Sequence, residues 1–197
     1  MGKARLEAFT DGVIAIIITI MVLEIRVPQG SNLEALRAGV PVFLAYVLSY
    51  INVGIFWNNH HHLLHASERV DGKVLWANLA MLFWLSLVPF VIRWIDEAGL
   101  TTLPVACYGI VLTGAAIAYT VLTRQLIACN GHDSRLARAV GNDGKGKLSL
   151  ALYILSVGLA FLRPWMAIAV YVAVSLLWIV PDTRIESLLL KNRTPTP

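Results

Sequence analysis

Ionisable, hydroxyl and amide side chains gather near one end of three apolar segments in this chain. They are Arg5, Thr10 and Asp11 in the first segment, His60, His61, His62 and His65 in the second, and Asn78 in the third. A polar or charged group buried without a partner is strongly unfavourable in an apolar environment. Groups of these types are therefore expected to satisfy one another, and three kinds of chemistry are open to them.

The first possibility is structural, and the second and third are chemical. A hydrogen-bond network would join the three segments through Arg5, Thr10, Asp11, His60, His61 and Asn78. The same groups could sense protons or gate a pathway, because histidine titrates near neutral pH. A metal site is the third possibility, since His61 and His65 are four residues apart and share one helical face.

The metal interpretation has little support in the sequence. No glutamate accompanies the pair in an H-E-x-x-H arrangement, and adjacent histidines of a regular helix point in different directions. G-x-S-x-G, P-loop and dinucleotide-binding motifs are also absent from the sequence. We therefore expect no metal, no cofactor and no enzymatic activity. A TVGYG-like potassium filter is likewise missing from the sequence.

The composition places these groups in a membrane protein. Of 197 residues, 57% are hydrophobic and 14% are charged, whereas a soluble domain carries about 25% charged residues. The formal net charge is +4, but the basic residues lie in the loops between hydrophobic blocks. That distribution is typical of membrane topology rather than of a nucleic-acid-binding patch. We expect the lipid bilayer as a partner and no nucleic acid.

Six hydrophobic segments predict an all-α integral membrane protein with six transmembrane helices. The segments are Phe9–Ile25, Gly39–Leu64, Val74–Ile95, Leu103–Ala128, Leu148–Leu162 and Trp165–Val180. Arg163-Pro164 divides the last two, because proline cannot continue the preceding helix. Residues 1–183 are predicted to form one transmembrane domain and residues 184–197 a cytoplasmic tail. The polar segment Cys129–Lys147 is predicted to be a flexible connection.

Most lysines and arginines fall on one side of this six-span arrangement. They are Lys3, Arg5, Arg69, Lys73, Arg124, Arg135, Arg138, Lys145, Lys147, Arg184, Lys191 and Arg193, against Arg26, Arg37, Arg93 and Arg163 on the other side. Because positive charge accumulates on the cytoplasmic side, both termini are predicted to be cytoplasmic. The polar ends of the first three spans then lie at the inner side of the membrane.

Several motifs in the first 95 residues resemble one family. Arg5-x-x-x-Phe9-Thr10-Asp11-Gly12 is similar to the RxxxFSDG signature of the transmembrane-protein-175-like potassium channels of endosomes, lysosomes and prokaryotes. Phe56-Trp57-Asn58-Asn59-His60 resembles that family's aromatic-Trp-x-x-His segment, and Ser86-Leu87-Val88-Pro89-Phe90 resembles part of its third span. Thr10 replaces the usual serine and keeps the hydroxyl group.

The resemblance implies a potassium-permeable, leak-type cation channel of the prokaryotic plasma membrane. It implies a homotetramer of six-span subunits, with the first helix of each subunit lining a central pore. It further implies that Ile16 forms the constriction, that Ile20 and Leu23 form further hydrophobic rings, and that Thr19 lies among them. Such rings can stop ions by excluding water from the closed pore. Potassium would be the permeant ion.

The helical period is compatible with this pore surface. At about 100° per residue, Ile20 lies roughly 40° from Ile16, Leu23 about 20° the other way and Thr19 about 60° off. Asp11 falls about 140° away, on the side of neighbouring helices. Glu24 lies at the predicted outer mouth, where it could raise the local cation concentration unless Arg26 neutralises it.

A second functional class stays open at this point. A proton- or solute-coupled transporter could use the same histidine and aspartate groups, although no inverted repeat or broken helix is evident in the sequence.

Overall fold

The structure is a computed structural model that describes residues 2–179, and these residues are all-helical, as the sequence predicts. They form eight helices: α1 (Lys3–Leu23), α2 (Leu33–His65), α3 (Gly72–Ser86), α4 (Val88–Ala98), α5 (Thr102–Asn130), α6 (Arg135–Val140), α7 (Gly144–Leu162) and α8 (Pro164–Ile179). Side chains cap several of these helices. Asn32 accepts a hydrogen bond from the Ala35 N–H at the start of α2, and Asp71 accepts one from the Val74 N–H at the start of α3.

Five helical segments within residues 2–179 are long and apolar enough to cross a membrane. They are α1, α2, the run Gly72–Ala98 that contains α3 and α4, α5, and α7. The described part of α8 is also apolar but has 16 residues. At about 1.5 Å per residue it spans about 24 Å, less than the roughly 30 Å of a bilayer core. The predicted end of the sixth span at Val180 and the predicted tail, 184–197, lie outside the described residues.

The predicted third span consists of two consecutive helices in the structure. α3 ends at Ser86 and α4 begins at Val88. Pro89 has no N–H to donate to the carbonyl of Leu85, so the regular ladder of hydrogen bonds is interrupted there. The Leu87 N–H instead donates to the carbonyl of Trp84, at 3.2 Å. The sequence predicted one uninterrupted segment over Val74–Ile95, and the proline divides it into two consecutive helices.

The connection predicted as flexible contains a helix. α5 continues to Asn130, α7 begins at Gly144, and α6 lies between them. The hydroxyl of Ser134 accepts a hydrogen bond from the Ala137 N–H at 3.2 Å, and Leu136 is buried in the core. The expectation of a flexible segment is therefore wrong. The glycine-rich, polar sequence contains a short amphipathic helix.

α7 and α8 form the hairpin that Arg163-Pro164 predicts. α7 ends at Leu162, and Arg163 has an extended backbone with φ −155° and ψ 117°. This conformation is expected of a residue that precedes proline, because the ring disfavours the helical region for its neighbour. α8 then begins at Pro164 itself, where the missing N–H removes no helical hydrogen bond.

One asparagine holds the connection between α2 and α3 against the end of α5. The side-chain oxygen of Asn130 accepts hydrogen bonds from the N–H groups of Glu68 and Arg69, at 2.8 and 2.9 Å. Its amide nitrogen donates to the carbonyls of Arg69 and Leu126. Lys3 Nζ also donates to the carbonyl of Ser67, at 2.8 Å. These bonds hold the N-terminal end of α1 and the C-terminal ends of α2 and α5 next to one another.

α5 is the central helix, and small residues allow its neighbours to approach closely. It contacts α3, α4, α6, α7 and α8. Gly114 lies against the indole ring of Trp84 on α3, and Gly109 lies against the hydroxyl of Tyr171 on α8. Helices in membranes commonly associate through small residues of this kind, because packing replaces the hydrophobic effect there.

Gly114→Ala should destabilise the protein, because the added methyl group would overlap the Trp84 ring. Overpacking of this type costs about 1–3 kcal/mol, which would appear as a lower thermal unfolding midpoint in detergent. Gly158→Ala is the matched control, since a methyl group at this helical glycine of α7 meets no atom within 4 Å. Equal unfolding midpoints for the two variants would contradict the close α3–α5 contact.

Candidate functional site

A single asparagine side chain connects α1, α2 and α3 inside the protein. The Asn78 amide nitrogen donates to Thr10 Oγ1 at 2.9 Å, and Asn78 Oδ1 lies 2.9 Å from His60 Nε2. All three side chains are buried. Because Asn78 Oδ1 can only accept, this pairing assigns the proton to Nε2 of His60. We call Thr10, Asn78 and His60 the Asn78 bridge.

The helical period brings these three residues together. Thr10 belongs to the buried face of α1, which also contains Leu6, Ile14, Ile17 and Met21. His60 and Asn78 occupy the corresponding buried faces of α2 and α3. Each polar residue thus replaces one apolar residue on a face that packs against its neighbours. Since water cannot reach this position, the side chains satisfy one another.

Asp11 and His61, two other members of the predicted network, make different contacts at the surface. Asp11 Oδ1 accepts a hydrogen bond from Trp57 Nε1 at 2.8 Å, and His61 Nδ1 lies 3.1 Å from Glu7 Oε1. Both contacts again join α1 to α2. Arg5 is exposed, and its guanidinium group makes no hydrogen bond or ion pair with any other residue in 2–179. The predicted set is therefore divided into a buried bridge, two surface contacts and one exposed arginine.

The histidines are arranged as aromatic neighbours rather than as converging ligands. The rings of His61 and His65 stack with centroids 6.2 Å apart, and the rings of Trp57 and His61 stack at 6.1 Å. Across residues 2–179, no three His, Cys, Asp or Glu side chains are grouped so that they could hold a metal ion.

The face of α1 opposite to its packed side is apolar and exposed. Ile16, Thr19, Ile20 and Leu23 lie on it, and we call these four residues the exposed stripe. Ile16 is 58% exposed and Leu23 is 81% exposed. The Thr19 hydroxyl donates to the carbonyl of Ile16 at 2.8 Å, so it is held against its own helix. No other residue in 2–179 covers the exposed stripe.

Ion pairs connect the opposite end of α1 to α4. Arg93 lies 3.1 Å from Glu24 and 3.3 Å from Glu97. Arg26 lies 2.7 Å from Glu97 and 3.3 Å from Asp96. The sequence suggested Arg26 as the residue that could neutralise Glu24, but Arg93 takes that position. Sequence spacing cannot reveal this pairing, because Arg93 comes from a different helix.

A second buried polar cluster was not predicted from the sequence. Tyr108 Oη accepts from Ser49 Oγ at 3.0 Å and from the Asn52 amide at 3.4 Å, and Tyr153 Oη donates to Asn52 Oδ1 at 3.2 Å. These contacts join α2 to α5 and α7. The sequence did contain a signal for this cluster. Asn52 lies eight residues before His60, so both polar side chains belong to the same face of α2.

The apolar helices and their internally satisfied polar groups define an all-helical integral membrane protein. The family described as "Endosomal/lysosomal potassium channel TMEM175" matches residues 5–89. A protein of Chryseobacterium sp. (strain P1-3) named potassium channel is 50% identical over 192 residues, which are 98% of this chain and 100% of that protein. The chain therefore belongs to the TMEM175 family, whose members are ion channels and not enzymes.

A solved structure and an animal relative give the extent of the similarity. The crystal structure of a lysosomal potassium-selective channel TMEM175 homolog from Chamaesiphon minutus matches with a TM-score of 0.76 and 25% identity, covering 90% of this chain and 96% of that chain. The endosomal/lysosomal proton channel TMEM175 of Homo sapiens is 38% identical over 96 residues, 42% of this chain and 19% of that protein. These similarities confirm the resemblance seen in the sequence and disfavour the coupled-transporter interpretation.

Asn78→Leu should lower stability, because it removes both hydrogen bonds of the Asn78 bridge at nearly constant volume. Hydrogen bonds between membrane helices contribute about 0.6 kcal/mol on average and up to about 1.7 kcal/mol, so the two together predict a loss of about 1–3 kcal/mol. Thermal unfolding in detergent measures this loss. His61→Leu is the control, since its exposed contact with Glu7 contributes little. A control that unfolds as early as Asn78→Leu would show that the bridge is not stabilising.

Proposed function

We propose that this chain is one subunit of a potassium-permeable, leak-type cation channel with a hydrophobic constriction. Its relationship to the Chryseobacterium protein named potassium channel, over the whole length of that protein, supports potassium as the permeant ion. The human relative is named a proton channel, but its similarity is confined to 96 residues. Potassium is therefore the first ion to test, and protons are the second.

The proposed assembly is a homotetramer of six-span subunits in the prokaryotic plasma membrane. Both termini are cytoplasmic in this arrangement, α8 serves as the sixth span, and residues 184–197 are the cytoplasmic tail. The contacts between helix ends support a consistent orientation. Asn130 bonds to the connection that follows α2, and Glu24 bonds to Arg93 at the other end of the molecule. Helix ends assigned to the same side of the membrane are thus the ones that touch.

The exposed stripe of α1 is the observation that carries the pore assignment. α1 has one face packed against α2, α3 and α4, whereas its opposite face presents Ile16, Ile20 and Leu23. In a fourfold assembly these side chains would form rings around the axis, with Ile16 as the constriction. A ring of isoleucines excludes water when it is narrow, and a dry constriction stops ions. Thr19 would add a hydroxyl to the same surface.

The Asn78 bridge would hold the pore helix in place at its inner end. Thr10 is six residues before Ile16 on α1, and its hydroxyl is bonded to α3 and through it to α2. Asp11 and Glu7 add surface contacts to α2. Arg5, which has no partner within residues 2–179, would be available to a neighbouring subunit. Movement of α1 would then require the other helices to move with it.

Ile16→Asn should increase potassium flux several-fold in liposomes that contain the purified protein, because an amide side chain hydrates the constriction. Val22→Asn is the matched control. It introduces the same side chain at another exposed position of α1, about 120° from Ile16 at about 100° per residue. A potassium-filled liposome diluted into low-potassium buffer, with a protonophore as counterion pathway, reports the flux.

Other outcomes of this experiment are also decisive. Equal increases in flux in both variants would show that a polar residue anywhere on α1 opens the pathway, and Ile16 would not be the constriction. Flux in the wild type with an unchanged Ile16→Asn variant would move the constriction elsewhere. Correctly folded wild-type protein without any cation flux would refute the channel proposal.

Arg93→Gln should increase cation flux at low ionic strength, because it releases the Glu24 carboxylate from its partner at the proposed outer mouth. An unpaired carboxylate raises the local cation concentration, and this effect is screened by salt. Glu24→Gln alone should change flux little, since Glu24 is already paired in the wild type. The double variant should return to the wild-type flux. Increased flux that persists at high salt would indicate a structural effect of Arg93 instead.

A further inference from the structure

An apolar cavity of about 480 Å³ lies between α2, α4, α5 and α8. Its volume falls within the roughly 300–1,000 Å³ of sites that bind small molecules. The large apolar residues that line it and are also exposed are Val40, Leu44, Leu100, Val172, Leu176 and Ile179. Most of them belong to α2 and α8, so the opening lies between these two helices. It is continuous with their apolar outer surface, which faces lipid in a membrane protein.

The hydroxyl groups on the wall of the cavity are already bonded within the protein. The described lining residues are apolar except for Ser49, Tyr108, Tyr171 and Ser175. Ser49 and Tyr108 bond to each other at 3.0 Å, and Ser49 Oγ also lies 2.8 Å from a carbonyl oxygen of its own helix. Tyr171 Oη donates to the carbonyl of Val105 at 3.0 Å, and Ser175 Oγ donates to the carbonyl of Tyr171 at 2.9 Å. Since each hydroxyl proton has an acceptor within residues 2–179, the wall selects an occupant that needs no hydrogen bond.

The length of the cavity matches one leaflet of a bilayer. Along α2 its lining extends from Val40 to Ile51, about 17 Å at about 1.5 Å per residue. Along α8 it extends from Ile168 to Ile179, which is the same number of residues. Half of a hydrocarbon core of roughly 30 Å is about 15 Å, the depth that the acyl chains of one leaflet occupy. The cavity therefore has the length of an acyl chain that lies along the two helices.

Water and the rest of the chain are poor occupants of this space. A buried water needs two to four polar partners, and apolar cavities stay dry. An empty cavity would deprive its lining of dispersion contacts. The sequence after Ile179 carries Asp182, Arg184 and Glu186. To fill the cavity as far as Val40, that segment would bring these charges into hydrocarbon, which is strongly unfavourable.

We infer that the cavity between α2 and α8 binds one acyl chain of a membrane phospholipid. The chain enters from the surrounding leaflet through the opening between these helices. Inside, it contacts Ile92 and Ile95 on α4 and Val105 on α5, which are buried beneath the opening. It thereby fills the space between α2 and the helices behind it. The inference goes beyond the proposed channel activity and holds whichever ion permeates.

Photolabelling of the full-length protein tests this site. The protein is reconstituted into phosphatidylcholine liposomes that contain a small fraction of phosphatidylcholine with a photoactivatable diazirine in one acyl chain. After illumination, mass spectrometry of proteolytic peptides locates the adducts. Tyr108 and Tyr171 line the cavity but are 4% and 1% exposed, so lipid on the outer surface reaches them only through the cavity. Wild-type protein should carry adducts on both tyrosines as well as on exposed positions such as Leu155.

Two variants fill the cavity from opposite walls. Ala45→Phe on α2 and Val172→Phe on α8 each place a ring in the space that the acyl chain would occupy. Each should lose most of the adducts on the two tyrosines and keep those on Leu155, which shows that the protein is folded and surrounded by lipid. Ala151→Phe is the matched control, because it adds the same ring at an exposed position of α7 that does not line the cavity. It should be labelled like the wild type.

The labelling pattern of the wild type decides the inference even without the variants. Adducts on Leu155 with none on Tyr108 or Tyr171 would show that lipid does not enter, because a second copy of the chain or residues 180–197 cover the cavity, and would overturn the inference. Tyrosine adducts that persist undiminished in both Ala45→Phe and Val172→Phe would also overturn it, since the labelled chain would then lie outside the filled space.

Discussion

The hydrocarbon core of a membrane contains no water, so every polar group placed there must find its partner within the protein. Some buried hydroxyl groups among the described residues bond to a carbonyl of their own helix, as Ser67, Thr123 and Ser175 do. The same constraint explains why the buried amide and imidazole groups occur in connected sets. Asn78 can satisfy two helices at once because an amide has both donor and acceptor groups. Thr10 supplies an acceptor on one side and His60 a ring nitrogen on the other. Exchange of any one member leaves the next one unpaired, which makes the contact specific as well as stabilising.

The same constraint explains how α2 can connect α1 to the rest of the bundle. Its middle bonds through Asn52 to Tyr108 on α5 and Tyr153 on α7, and its C-terminal part bonds through His60 to α3. α1 lies against α2, α3 and α4. The position of α1 thus depends on its polar contacts with α2 and α3, and α2 is itself held by polar contacts with the core. Packing through Gly109 and Gly114 fixes that core.

The features that depend on local sequence could be predicted, and those that depend on tertiary pairing could not. Apolar runs locate the membrane-length helices, Arg163-Pro164 locates the hairpin, and helical spacing places the exposed stripe on one face. The pairing of Glu24 with Arg93 depends on how α1 and α4 are placed relative to each other, and residue spacing in the sequence does not give that placement. α6 escaped prediction because six residues are too few to show a helical period clearly. Arg5 was grouped with Asp11 because both were expected at the same depth in the membrane, yet Asp11 bonds to Trp57 whereas the guanidinium group of Arg5 has no partner among residues 2–179.

The contacts of α1 differ along its length in a way that bears on how a pore could change. At one end Thr10 is held by a buried neutral hydrogen bond, and at the other Glu24 is held by an exposed ion pair. Between them, Ile14, Ile17 and Met21 make only apolar contacts, which constrain distance but not direction. A hydrogen bond in a dry interior is insensitive to salt, whereas an exposed ion pair is weakened by it. The Glu24 end is therefore the more easily released of the two, and a helix that is fixed at Thr10 and freed at Glu24 pivots rather than slides. Such a pivot displaces Leu23 and Ile20 further than Ile16, so the narrowest ring of the proposed pore would move least.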